Sequence, residues 1–562
     1  MPGKNNKKQI KAPASDKWFL PLSVILICIV TLGLYHKSVK NDFLDLDDMT
    51  IIVRNYNFIK DFSNAGQAFK QGVFQAQGEK DTLTSYYRPV MTLSFMADTY
   101  ISPKKSAFPI PAPYIRSNIF YHYVACLLLL FLLYELKVPP LPSLLLTLIF
   151  AVHPLLNQAV AWIPGRNDSL LTIFILASFI SLLRYIKKNK NWLLVWHIFF
   201  FLVALFTKEN TVLFIPLSFL YLGFVQKKKF PAKTYITLAI AYALCIIPWL
   251  VMRQAALSGN AGGAAFSDTI RTMLSNTPYF IQYLSKSVLP FNLSVMTTVA
   301  DTNYLIGLLA IALLLAGILL SKKKNVPFTI FGLCWFLLFL IPSFFSSFSG
   351  LEHRAYLPLV GIIMVASQFD VVKAADFNNK SSQSRLGIAL LGITFLVFLF
   401  TSYKRLPIFA NRYAFDKSAV ENSPHALLPC LYLATHYEQE KMYDKAIDAY
   451  KEGLARDSSH ALTYLNLAGD YICLNNYYEA EKTLRLLLRR NPTNSTATFN
   501  LGLVVFQGDT NYAEGVRLWK KSIALDSSFA QPYKVLSQYY QATGDSSNAI
   551  LYRNFYIKKR TK

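Results

Sequence analysis

The chain has 562 residues, of which 53% are hydrophobic and only 16% charged, and its formal net charge is +25. Soluble globular proteins carry roughly 25% charged residues, and the mean hydropathy here is +0.31. This balance excludes a soluble enzyme and a disordered chain and leaves a polytopic membrane protein.

A spanning helix needs about 20 mostly apolar residues. Such runs fall at 18–35, 119–136, 141–156, 168–186, 192–206, 211–226, 234–252, 304–320, 326–342, 356–372 and 386–402, eleven in all. The stretch 277–299 is broken by Lys286, Pro290 and Asn292 and reads as re-entrant or interfacial. With the N-terminus inside, Lys4, Lys7, Lys8, Lys11 and the clusters Lys187–Lys190, Lys227–Lys229 and Lys322–Lys324 all face the cytoplasm. The short outer loops then hold only Arg166, Lys208, Arg253, Arg271, Lys286 and Arg354. That asymmetry is the positive-inside pattern, and it accounts for most of the +25 without nucleic acid. An odd number of spans puts the C-terminus on the outer face. The first span reads as uncleaved, because no small-residue cleavage site follows residue 35. Cys28, Cys126, Cys245 and Cys334 lie inside apolar runs and read as small buried hydrophobes.

Five polar elements fall on the outer face in this topology. The first loop, 36–118, opens with Asp45, Asp47 and Asp48 interleaved with Phe43, Leu44, Leu46 and Met49. Packed acids near a membrane suit base or metal work, although a solvated acidic turn or helix cap explains the same residues. Tyr86-Tyr87-Arg88-Pro89 then opens an apolar run to Ile101 that is too short to span and reads as an interfacial helix. His122 lies one turn into the second span. A lone His there is usually a satisfied core residue, yet intramembrane ionisable groups also mark function. His153-Pro154 through Arg166-Asn167-Asp168 ends the third span, and Lys208-Glu209 and Glu352-His353-Arg354-Ala355-Tyr356 complete the set. Acids with Arg and Lys at one interface suit an anionic lipid headgroup and a hydroxyl acceptor.

From about residue 403 the composition turns soluble. Tyr443-Asp444-Lys445-Ala446 recurs as Tyr477-Tyr478-Glu479-Ala480, Tyr512-Ala513-Glu514-Gly515 and Ser546-Ser547-Asn548-Ala549, a period of 34 or 35. With Ala434, Ala468, Gly502 and Ser537 upstream, the pattern resembles the tetratricopeptide repeat, whose stacked helix pairs form a groove for peptides. A scaffold with no substrate role fits the repeats equally. Cys430 and Cys473 fall at helical core positions.

In this order, FLDLDD, YYRPVMTLSF, NIFYH, FAVHPLLNQAVAWIPGRND, TKEN and EHRAYLPLVG followed by the repeats resemble the transmembrane and tetratricopeptide-repeat O-mannosyltransferases and their bacterial relatives, members of the GT-C glycosyltransferases. The resemblance implies inverting transfer of a sugar, with mannose the candidate, from a polyprenyl-phosphate donor to a hydroxyl on the outer face. It places the acidic pair on Asp47 and Asp48 and leaves Asp45 without a role. It puts donor-phosphate and substrate contacts on Arg88, Arg166, Lys208, Glu209, Arg354 and Tyr356, with His153 and His122 beside them. The chain departs from that pattern at Ile115, Leu156 and Gln158.

The expected architecture is all-α. A GT-C-like membrane domain of about eleven spans covers 1–402, and a tetratricopeptide solenoid covers 403–562 on the periplasmic or luminal face. The expected partners are the lipid-linked sugar, a protein or peptide acceptor in the repeat groove, and the bilayer. The sequence assigns no cofactor besides the donor substrate and leaves metal dependence open, because two adjacent acids are too few ligands to argue a site. The Lys-, Asn- and Phe-rich composition fits a bacterial inner membrane better than the ER. Three other readings stay open: a membrane-anchored scaffold, the same enzyme class acting on glycolipid or polysaccharide, and a transporter. The transporter lacks paired interrupted helices in matching halves.

Overall fold

The computed structural model describes residues 16–44, 46–75, 86–102, 108–227, 229–257, 266–345, 350–508 and 510–560. Lys4, Lys7, Lys8, Lys11, Asp45 and Lys228 lie outside the described residues. The fold is all-α, and the only extended pairing among the described residues is an isolated bridge between Thr297 and Gly350. The chain divides into two compact units, Met1–Phe415 and Asp416–Lys562.

The first unit is that of an integral, multi-pass membrane protein. Among the described residues six helices are long and apolar enough to cross a bilayer: Trp18–Lys40, Pro111–Glu135, Ile163–Lys188, Ala232–Leu257, Val326–Phe345 and Ser382–Phe409. The first shows why. Leu22, Ile25, Ile29 and Leu32 recur at helical spacing and are exposed, while Ile27, Thr31 and Leu34 on the other face are buried. An apolar outer face of this kind suits lipid, not water.

The remaining expected spans do not reach that standard, and the count of eleven is not established. Pro140–Ala151 and Pro154–Ala161 are separated by a 46° bend. Pro154 brings no N–H to the ladder, and His153 Nδ1 accepts the Leu155 N–H there instead. Asn191–Thr207, Glu209–Val225 and Tyr304–Leu320 are shorter apolar helices. The run 356–372 forms only an 11-residue helix, Tyr356–Ala366. It is short because it is enclosed. Its Gly361 lies against the carbonyl of Gly332 in the helix Val326–Leu340, where a Cβ would collide with that oxygen and with the Phe336 backbone. Glycine permits this backbone contact. Segment 277–299 holds a ten-residue helix, Tyr279–Val288, followed by irregular chain.

The second unit stacks four helix pairs: Leu427–Gln439 with Tyr443–Arg456, Ala461–Cys473 with Tyr477–Arg490, Ser495–Gly508 with Tyr512–Leu525, and Gln531–Ala542 with Ser546–Arg560. The small residues of the period sit where helices meet. Ala446 and Ala480 are fully buried, and a Cβ on Gly515 would come within 2.9 Å of Phe506 Cβ. Trp519 fills the space beside Gly502.

Candidate functional site

The loop that follows the first long helix is tied down at its start. Asp42 N–H donates to the Ala410 carbonyl at 2.8 Å, and Arg412 Nη1 to the Leu44 carbonyl at 2.9 Å. The chain then turns through the two acids into a short helical segment, Met49–Val53, that buries Ile51 and Ile52. The acids therefore point different ways.

Asp48 is buried, and both its oxygens are engaged. Oδ2 accepts the Leu44 N–H and Oδ1 the Trp162 indole N–H, each at 2.7 Å. Burial pushes its carboxyl up to about 7, against the pull of those two donors. Asp47 is half-buried and has no hydrogen-bond or ion-pair partner among the described residues. Burial raises its carboxyl above the ordinary carboxylate range, and the Arg88 and Arg354 guanidiniums pull the other way. Asp47 thus lies within the field of two cations from distant segments.

Arg88 precedes the helix Pro89–Ile101, as the expected interfacial element. Its guanidinium lies 4.3 Å from the Tyr86 ring centre, and Nη2 bonds Glu209 at 3.0 Å. With its amide turned towards Thr207, Asn167 accepts from Arg88 Nη1 at 3.2 Å. Lys208 pairs with Asp168 at 2.7 Å; burial lowers its ammonium, and Asp168 holds it up. Arg354 sits in the turn Glu352–Ala355. The neighbours of that turn are fixed: Glu352 is fully buried between Lys286 Nζ, at 3.2 Å, and Arg405 Nη2. The His353 backbone N–H donates to Gln158 Oε1 at 3.0 Å, and its ring lies 5.3 Å from that of Trp162. Burial, reinforced by Lys208, Arg354 and Arg88, holds the His353 imidazole well below its usual range.

The candidate residues separate by access. Asp47, Arg88, Glu209 and Arg354 keep partial exposure around one polar cluster. Arg166 is fully buried and saturated: it pairs with Asp98, donates to Asn118 Oδ1 at 2.8 Å and to the Tyr114 carbonyl at 2.6 Å, and covers the Phe95 ring. His122 and Tyr356 bond each other in the core, and His122 also reaches the Ala151 carbonyl. His153 is enclosed between Leu155 and Ser287. These four contact protein groups only. Among the described residues no group of three His, Cys, Asp or Glu converges as a metal site would. Trp162, Asn118, Asp98 and Arg405 escaped the sequence reading. A Trp amid Asn157, Gln158 and Arg166 at the end of an apolar run was the available signal for the first.

No family model matches the chain. It is similar to the protein O-mannosyl-transferase TMTC4 of Mus musculus, 28% identical over 216 residues that cover 34% of this chain and 28% of that one. It is 29% identical to the protein O-mannosyl-transferase TMTC3 of Homo sapiens over 146 residues, 25% of this chain and 15% of the relative. The protein O-mannosyl-transferase F38B6.6 of Caenorhabditis elegans matches at 25% over 260 residues, 44% of this chain and 37% of the relative. The chain thus spans well under half the length of these curated relatives. Among solved structures, MamA aligns with 27% of this chain and 87% of its own at 19% identity, with a TM-score of 0.25. A score that low adds nothing to the fold, which rests on the four helix pairs themselves. The chain is therefore similar, distantly and over part of its length, to protein O-mannosyl-transferases.

Proposed function

We propose that this protein is a membrane glycosyltransferase that moves a sugar, with mannose the candidate, from a polyprenyl-phosphate donor to a Ser or Thr hydroxyl of a protein on the outer face of the membrane. The observation that carries the reading is Asp47, a carboxyl with no partner of its own in the field of Arg88 and Arg354. The names of the relatives support the reaction class and the protein acceptor.

In this reading Asp47 takes the proton of the acceptor hydroxyl as its oxygen attacks the sugar C1. The bond from C1 to the phosphate oxygen breaks, the configuration inverts, and the polyprenyl phosphate leaves with the electron pair. Arg354, helped by Arg88, holds that phosphate through charge-assisted hydrogen bonds. Glu209 orients Arg88, and Lys208 with Asp168 completes the wall. Asp48 holds the loop through Leu44 and Trp162 and is not the group that receives the acceptor proton. The repeats hold the acceptor chain. A bacterial inner membrane and an outer C-terminal unit belong to the same proposal; the Lys-, Asn- and Phe-rich composition supports the first, and the Lys and Arg asymmetry supports the second.

The test is transfer of radiolabelled mannose from polyprenyl-phosphate mannose to a Ser/Thr-rich peptide by the purified full chain in detergent. Labelled peptide supports the reading. Label moving only to lipid or polysaccharide would replace the acceptor, and no transfer from any lipid-linked hexose would remove the enzyme.

A further inference from the structure

We propose that Trp162 is a positioning residue: its indole, held by Asp48 on one side and packed on His353 on the other, sets the distance between the Asp47 loop and the turn that carries Arg354. The inference rests on the reading of Asp47 and Arg354 given above. One side chain touches both arms of the site. The indole N–H donates to Asp48 Oδ1 at 2.7 Å, one residue from Asp47, and the ring centre lies 5.3 Å from that of His353, one residue from Arg354.

Trp162 is itself fixed from behind. Its carbonyl accepts from Asn118 Nδ2 at 3.0 Å, and the same amide bonds the Val160 and Ile163 carbonyls at 3.2 Å. Asn118 Oδ1 takes Arg166 Nε at 2.8 Å, and Arg166 pairs with Asp98. The turn is also closed tightly: a Cβ on Gly165 would come within 2.7 Å of the Gln158 carbonyl. Gln158 in turn holds the His353 backbone. The chain of contacts runs from Asp98 through Arg166, Asn118 and Trp162 to both arms.

Stability alone does not explain this arrangement. A buried carboxylate is expensive to desolvate, and an apolar pair of similar volume is often as stable or more so. Charge and donor placed together define one geometry, which an apolar contact would leave free to slide. A misplacement of about 1 Å between reacting groups can lower turnover by on the order of 10²-fold.

The experiment compares Trp162→Phe, Asp48→Asn and the double variant in the full chain. Phe keeps an aromatic ring against His353 and removes the donor together with part of the indole's buried volume. Each single variant is expected to lower kcat by about ten- to a hundredfold while leaving the donor KM within about twofold. The double variant is expected to fall by less than the product of the two singles, because the one oxygen left in Asp48→Asn must serve both Leu44 and Trp162, so both variants disturb the Asp48–Trp162 contact. Unchanged kcat in Trp162→Phe, or losses that multiply in the double variant, would overturn the proposal. Hydrogen exchange supplies a readout that needs no activity. Backbone amides of 46–54 are expected to exchange faster in Trp162→Phe, with those of 141–151 unchanged. Equal exchange at 46–54 overturns the clamp whether or not sugar is transferred. Faster exchange in a protein that transfers nothing leaves the clamp standing and removes the proposed reaction.

Discussion

The two units of this chain use ion pairs in opposite ways. In the repeat unit four pairs lie within one helix, three or four residues apart, with at least one partner well exposed: Arg456–Glu452, Lys482–Glu479, Arg485–Glu481 and Arg517–Glu514. In the membrane unit the pairs Arg166–Asp98, Lys208–Asp168, Lys286–Glu352 and Arg405–Glu352 are buried and join residues 40 to 68 positions apart. Exposed pairs in water contribute little. Buried pairs hold a geometry, and losing one partner strands a charge. The membrane unit therefore spends its charges on arrangement, and the repeat unit on solubility.

The largest expected effect is on donor binding. Arg354→Ala should weaken donor binding strongly, because the leaving phosphate loses a charge-assisted contact; a donor-binding isotherm in detergent measures it, and unchanged affinity would detach Arg354 from the site. Next comes stability. Asp98→Ala leaves the Arg166 guanidinium in the core without its carboxylate, a loss of about 3–5 kcal/mol, read by thermal unfolding in detergent. Gly361→Val forces a side chain into the Gly332 carbonyl and should cost about 1–3 kcal/mol. Arg485→Ala, the same kind of deletion in the repeat unit, should cost about 0.5 kcal/mol or less. Equal losses at Asp98 and Arg485 would erase the contrast between the units.

A pH profile sharpens it further. Transfer needs the Asp47 carboxylate, so the rate falls as pH drops through that group's pKa. Burial raises that pKa, which puts the acidic limb above the ordinary Asp value of about 4. Arg354→Gln removes one of the cations that pull it down, so the limb should move to still higher pH. A limb that stays in place would separate Arg354 from Asp47. Truncation near residue 420 is the finest of these probes. It should spare donor binding and lower transfer to long protein substrates more than to short peptides.

Much of this was legible in the sequence, and the reasons for the rest are physical. The period from Ala446 to Ala549 identified the helix pairs, because helix crossings admit only small residues there. The six long apolar helices were plain for the same reason that they cross a bilayer: their outer faces need no polar partner. The helix at 356–366 read as a longer span because hydropathy does not distinguish lipid from protein as the apolar surround. The five polar elements were found by residue type. Residue type did not separate Asp47 from its neighbour Asp48, or the enclosed Arg166 from the accessible Arg354. That distinction depends on the partners supplied by Leu44, Trp162, Asn118 and Asp98, which the chain brings together only on folding.

The central claim is that Asp47, and not Asp48, receives the acceptor proton. Single-turnover transfer from pre-bound polyprenyl-phosphate mannose, measured in parallel for Asp47→Asn and Asp48→Asn, addresses it most directly. The account predicts that Asp47→Asn loses transfer by something like 10²–10⁴-fold with donor binding retained, and that Asp48→Asn loses the smaller amount set by loop placement. Full transfer in Asp47→Asn, or a deeper loss in Asp48→Asn than in Asp47→Asn, would contradict it.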